Sequence, residues 1–331
     1  MPNQSTETRL RTETMLKTAM GSTIATALED PAVIEIMLNP DGQLWLERHG
    51  KGREHSGVTM RSSEAERVIR LVGSHIGQDV TRDYPIVSAE LPIGGERFEG
   101  VLPPVATAPS FTIRKPASVV FTLTDYVDSG IMTSVQAQIL RECVQARRSL
   151  LIVGGTGTGK TTLANALLHE VALTGDRVVI LEDTRELQCD APDKIALRTQ
   201  AGSVSMADLV RSTLRLRPDR IVVGEVRGGE ALDLLKAWNT GHPGGIATVH
   251  ANSAADGLSR LEQLISEKSA HVPRPLIAMA VDVVIGITNT DGQRAVTDIL
   301  NVISCDGPGG YHCEPMRPQS LKLVTTEGGL S

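Results

Sequence analysis

The residues best suited to chemistry run from Gly154 to Thr162, Gly-Gly-Thr-Gly-Thr-Gly-Lys-Thr-Thr. They fit the phosphate-binding pattern GxxxxGK[ST] at every fixed position. Gly154, Gly155, Gly157 and Gly159, with Thr156 and Thr158 between them, let the backbone curl until successive N–H groups converge on one anion. A helix opening at Lys160 adds its positive end. Lys160 itself sets a point charge between the β- and γ-phosphates. The Thr161 hydroxyl is the expected Mg²⁺ ligand, and Thr162 follows in the same turn. The loop implies ATP with Mg²⁺, but not what the energy is used for.

A phosphate cradle needs a carboxylate on a second strand, to hold the metal or orient the attacking water. Arg220-Ile-Val-Val-Gly-Glu225 ends an apolar run in Glu225, with Arg227 two residues on. Arg177 to Leu181 ends likewise in Glu182 and Asp183. Two acidic strand ends beside one cradle suit one carboxylate on metal-bound water and one polarising the nucleophile, and the assignment between Glu182 and Glu225 stays open. His242 and His250 flank a further apolar run, GGIATVH. They are candidates for sensing the γ-phosphate or touching a neighbouring subunit. Neither has ligand-type neighbours at metal spacing.

These groups need a frame that brings several strand ends to one edge. From Ser149 onward, strands that read as continuous apolar runs alternate with helices, which implies a parallel sheet covered on both faces. The expected fold is α/β: a RecA-like P-loop NTPase domain over 149–305, preceded by a smaller N-terminal α/β domain over 13–115. In the latter, helices are expected over 15–28 (Met15, Ala19, Ile24 and Leu28 inward) and 63–76. Strands are expected over 33–38, 44–47, 98–102 and 111–114. Residues 1–12 are polar and expected to be disordered, 116–148 form a linker with a helix over 134–146, and 306–331 form a loose tail.

At 331 residues the chain has room for two such domains. A net charge of −6 and 2% aromatics argue against a nucleic-acid binder that stacks bases or relies on a basic surface. Cys143, Cys189, Cys305 and Cys313 show no CxxC pairing and read as reduced structural thiols. No segment resembles a signal peptide, and the longest apolar stretch, Leu276 to Ile287, contains Asp282 and is too short to span a bilayer. The expected location is therefore cytoplasmic.

Taken together, the segments resemble the secretion and traffic ATPases of type II and type IV systems. GGTGTGKTT matches that family's Walker A motif, LEDTREL its Asp box, RIVVGEVRGGE its Walker B segment and TGHPGGIATVHANS its His box, in the same order. DPAVIEIMLNPDGQLWLER and SAELPIGGERFEGVLPPVATAPSFTIRKP resemble its conjugal-transfer branch, so the likeness covers about residues 13–305. It implies a homohexameric ring with nucleotide between the two domains. It also implies arginines near the phosphates, for which Arg97, Arg114 and Arg227 are candidates. The implied activity is ATP hydrolysis powering a conjugative type IV secretion system. The implied partners are inner-membrane components at which the protein sits peripherally, with no sequence-specific nucleic-acid binding. The tetra-cysteine zinc insertion of many type II and pilus-extension ATPases is missing. The eight-residue His-box spacing matches the type IV and tight-adherence branches. A tight-adherence or type II pilus motor shares every motif. A DNA translocase has the support of the cluster Arg211, Arg215, Arg217 and Arg220 alone.

Overall fold

The structure is a computed structural model that describes residues 6–48, 51–116, 121–200, 202–290, 292–305 and 310–317. The chain divides into two compact units, residues 1–119 and 120–331.

The first unit is built from α1 (Thr6–Glu29), β1 (Val33–Leu38), β2 (Gln43–Arg48), β3 (Gly52–Thr59), α2 (Ser62–His75), β4 (Ile86–Glu90), β5 (Arg97–Val101) and β6 (Ser110–Arg114). Its strands form one antiparallel sheet in the order β3-β2-β1-β6-β5-β4. Alternate residues such as Ile36, Phe98 and Ile113 point into a core closed by Leu16 and Ile24 of α1 and Val68 and Ile69 of α2. The opposite face carries a charged residue on every strand at matching register: Glu90, Arg97, Arg114, Glu35, Glu47 and Arg53 lie opposite one another across the sheet. Helix α1 already begins at Thr6, inside the stretch expected to be disordered, of which residues 1–5 lie outside the described residues. Gly21 (φ 81°, ψ 169°) interrupts the helix, yet Leu16, Met20, Ile24 and Leu28, four residues apart, are all buried on one face, and Met15, expected inward, is 53% exposed.

The second unit runs α3 (Leu123–Asp128), α4 (Ser134–Gln145), β7 (Leu150–Val153), α5 (Lys160–Ala172), β8 (Val178–Glu182), β9 (Lys194–Arg198), α6 (Met206–Thr213), β10 (Arg220–Val223), α7 (Glu230–Asn239), β11 (Ile246–Val249), α8 (Asp256–Ser266), α9 (Arg274–Ala280), β12 (Val283–Thr290), β13 (Gln293–Cys305) and β14 (Tyr311–Pro315). The sheet order is β14-β13-β12-β7-β11-β10-β8-β9. From β12 to β9 every neighbouring pair is parallel, whereas β13 and β14 add an antiparallel edge.

Each central strand feeds two cores. Ile152, Ile180 and Val222 pack beneath α4 and α5, while Leu151, Val179 and Ile221 pack against α7 and α8 on the other face. That double burial is why these strands read as unbroken apolar runs. Helices α3 and α4, assigned to a linker from sequence, place Leu123, Tyr126 and Leu140 in the first of these cores, and linker residues 117–120 lie outside the described residues. The segment expected as a loose tail contributes β14, paired with β13; its residues 306–309 and 318–331 lie outside the described residues. The apolar stretch 276–287 is split between the end of α9 and the start of β12. Among the described residues no helix is long and apolar enough to cross a membrane.

Candidate active site

Because β7, β11, β10 and β8 run parallel, their carboxyl ends share one edge, where ligands of open α/β sheets bind. The chain leaves β7 through the glycine-rich loop and enters α5 at Lys160. Gly157 (φ 74°) and Gly159 (φ 99°) take left-handed backbone angles that a side chain would strain. A Cβ on Gly154 would lie 2.4 Å from the Ile287 carbonyl oxygen. Thr158 donates to the Gly155 carbonyl at 3.0 Å, tightening the loop, and Thr156 is exposed. Lys160 is buried, with Nζ donating to the carbonyls of Gly154 (3.0 Å) and Gly155 (2.9 Å). Thr161 and Thr162 occupy the first turn of α5.

Lys160 Nζ also lies 3.2 Å from Nδ1 of His250, just past the end of β11. Burial holds the His250 pKa below its ordinary value; Glu225 opposes this, and the charges of Lys160 and Arg227 add to it. A neutral ring leaves Nδ1 free to accept from Lys160. His250 Nε2 in turn lies 2.5 Å from Glu225 Oε1, though off the hydrogen-bond direction. Glu225 Oε1 is thus buried without a hydrogen-bond donor among the described residues. The other oxygen, Oε2, accepts from Arg227 Nε at 2.7 Å. Arg227 reaches Asp183 Oδ2 at 3.5 Å, and Asp183 Oδ1 accepts from Thr199 at 2.9 Å. Lys160, His250, Glu225, Arg227 and Asp183 therefore form one continuous polar chain along the sheet edge.

Glu182 stands apart from that chain. It is 3% exposed, and its Oε1 accepts from the backbone N–H groups of Glu186 (2.9 Å) and Leu187 (2.7 Å). Burial outweighs those bonds and pushes its pKa up to about 7. Its side chain lies against Gly224, where a Cβ would meet Glu182 Cγ at 3.2 Å.

The two histidines are separated by the length of β11. His250 is at the carboxyl end, beside the cradle. His242 lies before the strand's amino end, with Nδ1 3.3 Å from the Ala237 carbonyl, so the structure does not bring it to the phosphate loop of its own chain. At that lower edge, Arg220 is 1% exposed: Nε donates to Asp176 (2.6 Å), Nη1 to the Gly244 carbonyl (3.2 Å) and Nη2 to the Val144 carbonyl (2.8 Å). Arg147 pairs with the same aspartate. Burial raises the Asp176 pKa, but hydrogen bonds from Arg220 and Thr174 more than offset it and leave it below the ordinary carboxylate range. Arg211 pairs with Asp233 and Asp208. Arg220 is thus committed within the fold and drops out of the cluster that supported a DNA channel, whereas the Arg211 side chain is 64% exposed. Arg97 and Arg114 are direct cross-strand partners in the first unit.

Two residues escaped the sequence reading. Thr161 Oγ1 donates to Glu186 Oε2 at 3.3 Å, and Asn165, 1% exposed, binds the backbone on both sides of that glutamate's neighbour: Nδ2 donates to the Glu186 carbonyl (3.2 Å) and Oδ1 accepts from Gln188 N–H (2.9 Å). The available signal was spacing, since Asn165 follows Thr161 by one helical turn.

A glycine-rich strand-to-helix loop on a RecA-like sheet, preceded by a smaller α/β unit, defines the class. The chain belongs to the family described as "Type II/IV secretion system protein", whose profile matches residues 20–306, and that family implies nucleotide binding. Among relatives, a "Probable conjugal transfer protein TrbB" of Sinorhizobium fredii is 53% identical over 289 residues, 87% of this chain and 88% of that protein. The "Type IV secretion system protein PtlH" of Bordetella pertussis is 34% identical over 311 residues, 83% of this chain and 91% of that one. The X-ray structure of the Legionella pneumophila ATPase DotB aligns with a TM-score of 0.60 over 84% of this chain and 79% of that one, at 20% identity, a likeness of fold.

Proposed function

We propose that this protein is the ATPase motor of a conjugative type IV secretion machine, hydrolysing ATP at the carboxyl edge of its parallel sheet. The observation that carries the reading is the convergence of Lys160, His250, Glu225 and Arg227 from three different strand ends onto one phosphate loop. Family membership and the 53% identical conjugal transfer relative support the use to which the energy is put.

In this reading Lys160 exchanges its carbonyl partners for β- and γ-phosphate oxygens, and the loop N–H groups neutralise the remaining charge. Arg227 holds Glu225 by Oε2 and leaves Oε1, buried and without a hydrogen-bond donor among the described residues, to accept a proton from the attacking water. Glu182 is the weaker candidate for that role, because one oxygen is committed to its own turn and burial favours its protonated form. The Thr161 hydroxyl, with the phosphates, suits Mg²⁺, which when bound draws charge from the transferring phosphoryl group.

The assembly expected is a homohexameric ring in the cytoplasm. It docks peripherally on inner-membrane channel components, and Arg97 and Arg114 act across a domain or subunit boundary. His242, at the far end of β11, is available for a neighbouring subunit and not for its own phosphate loop.

The test is ATP binding and steady-state hydrolysis by the purified chain and two variants. Lys160→Ala should abolish turnover. Glu225→Gln should bind ATP with wild-type affinity and turn over at a negligible rate, since the amide fills the site but cannot take a proton. Parallel loss of affinity and rate in Glu225→Gln, or more than a tenth of wild-type turnover in Lys160→Ala, overturns the assignment.

A further inference from the structure

We propose that Thr248 is a positioning residue for Glu225: its buried hydroxyl fixes the peptide from which the glutamate projects. The proposal rests on the ATPase reading above and deepens it.

Thr248 is the one polar side chain of β11, Ile-Ala-Thr-Val, and is 2% exposed. A buried hydroxyl is costly unless it is hydrogen-bonded, and valine fills nearly the same space without that cost. The strand therefore carries threonine for its hydroxyl and not for its bulk. Oγ1 donates to the Gly224 carbonyl at 2.7 Å. Ile246 packs in the core beneath α4 and α5, whereas Ala247 and Val249 pack against α7 and α8. The alternation leaves Thr248 on the α5 side of the strand, two residues before His250.

The regular ladder between β10 and β11 ends at Val223 and Ala247. Beyond it the continuation of β10 is held bond by bond. The Gly224 N–H donates to the Leu181 carbonyl of β8 at 2.9 Å, and the Val226 N–H donates to the Thr248 carbonyl at 2.9 Å. Glu225 is thus the single residue between two bonds to Thr248, one from its side chain and one to its backbone. The Gly224 carbonyl and the Glu225 N–H belong to one rigid peptide plane. Glycine leaves that plane free to rotate, and little else fits at 224, since a Cβ there would meet Glu182 Cγ at 3.2 Å. The hydroxyl supplies the restraint that glycine withholds. At the other end of the side chain, Arg227 Nε donates to Oε2 at 2.7 Å and His250 Nε2 lies 2.5 Å from Oε1. Those two residues hold the tip of Glu225, and Thr248 holds its root.

Misplacing a reacting group by about 1 Å can cost about 10²-fold in rate. The experiment, on the full chain, measures single-turnover ATP hydrolysis with protein in excess, and equilibrium affinity for a non-hydrolysable ATP analogue with Mg²⁺. Thr248→Val should slow the single turnover about 10- to 100-fold while analogue affinity stays at the wild-type value. Thr248→Ser, which keeps the donor and loses the methyl group, should recover most of the rate. An unchanged rate in Thr248→Val overturns the proposal. So does a fall in analogue affinity that matches the fall in rate, because the role is then one of folding. Equal slowing by serine and valine also overturns it, by assigning the effect to shape and not to the hydroxyl. A wild-type chain that does not hydrolyse ATP, or a Glu225→Gln chain that hydrolyses it at the wild-type rate, sinks the reading of the site itself, and either result is seen without any change at Thr248.

Discussion

Glu182 offers a sharp test of how the site divides labour, because burial raises its pKa from the ordinary 4.5 to about 7. Between those two values the folded chain keeps a proton that the unfolded chain has lost. Stability therefore falls as pH rises through this window, and the loss is complete above pH 7. At about 1.4 kcal/mol per pH unit the raised pKa corresponds to a cost of about 3 kcal/mol. Glu182→Gln keeps an oxygen to accept from Glu186 and Leu187 but has no proton to lose. Relative to wild type it should be stabilised increasingly from pH 4.5 to pH 8, by up to about 3 kcal/mol. Urea denaturation is read at Trp238, buried between α7 and β10 with Nε1 donating to the Ile221 carbonyl at 3.2 Å. A Trp45→Phe background leaves it the sole tryptophan. The variant should also retain turnover at pH 8, in contrast to Glu225→Gln. Parallel stability curves for the two proteins across pH 5–8 would refute the buried-acid account. A dead Glu182→Gln with intact ATP binding would return Glu182 to the catalytic pair.

Three further outcomes are expected. Arg97→Ala and Arg114→Ala should each lower turnover steeply, up to about 10³–10⁵-fold as for arginines that stabilise the γ-phosphate elsewhere, with ATP binding to the P-loop retained; wild-type rates from both return them to the charged row on their sheet. Residues 120–331 expressed alone should fold yet be nearly inactive, and full-rate hydrolysis by that fragment as a monomer in light scattering excludes a shared site. Asp176→Ala should destabilise the chain by about 3–5 kcal/mol, since it strands Arg220 as a buried charge, whereas Asp176→Ala with Arg220→Met should cost less than the single change. Additive losses in that cycle would show that the pair is not coupled.

What the sequence made legible follows burial. The strands β7, β8, β10 and β11 are covered on both faces and read as apolar runs. The four strands at the sheet edges, β3, β4, β9 and β14, all escaped. Strand β3, Gly-Arg-Glu-His-Ser-Gly-Val-Thr, is exposed along most of its length and pairs on one side, so neither an apolar run nor a clean alternation marks it. Strand β12 was hidden for the opposite reason. It is fused in sequence to α9 as one apolar stretch, and periodicity cannot divide a continuous apolar run into helix and strand. The buried face of α1 is Leu16, Met20, Ile24 and Leu28, one position on from the expected Met15 and Ala19 at its start, because apolar residues at 15, 16, 19 and 20 suit either register.

The site shows the same divide between local and tertiary information. The phosphate loop is legible because its chemistry lies in consecutive residues, each required for a local reason. The pairing of Lys160 with His250 is not, since it depends on β11 lying beside β7, a neighbour relation set by the order of the sheet. Two histidines eight positions apart looked like one motif, but a strand advances about 3.3 Å per residue, so β11 carries them to opposite edges. The two strand-end glutamates looked equivalent for the converse reason: sequence places both at the catalytic edge and says nothing of what each side chain meets there. Glu225 meets an arginine and a histidine, while Glu182 turns back on its own backbone. Identical residue types at equivalent strand ends thus acquire different chemistry from their burial and their hydrogen-bond partners. That is why Glu186, four residues beyond Glu182, gains its place against Thr161: the turn that Glu182 holds together is the turn that presents it.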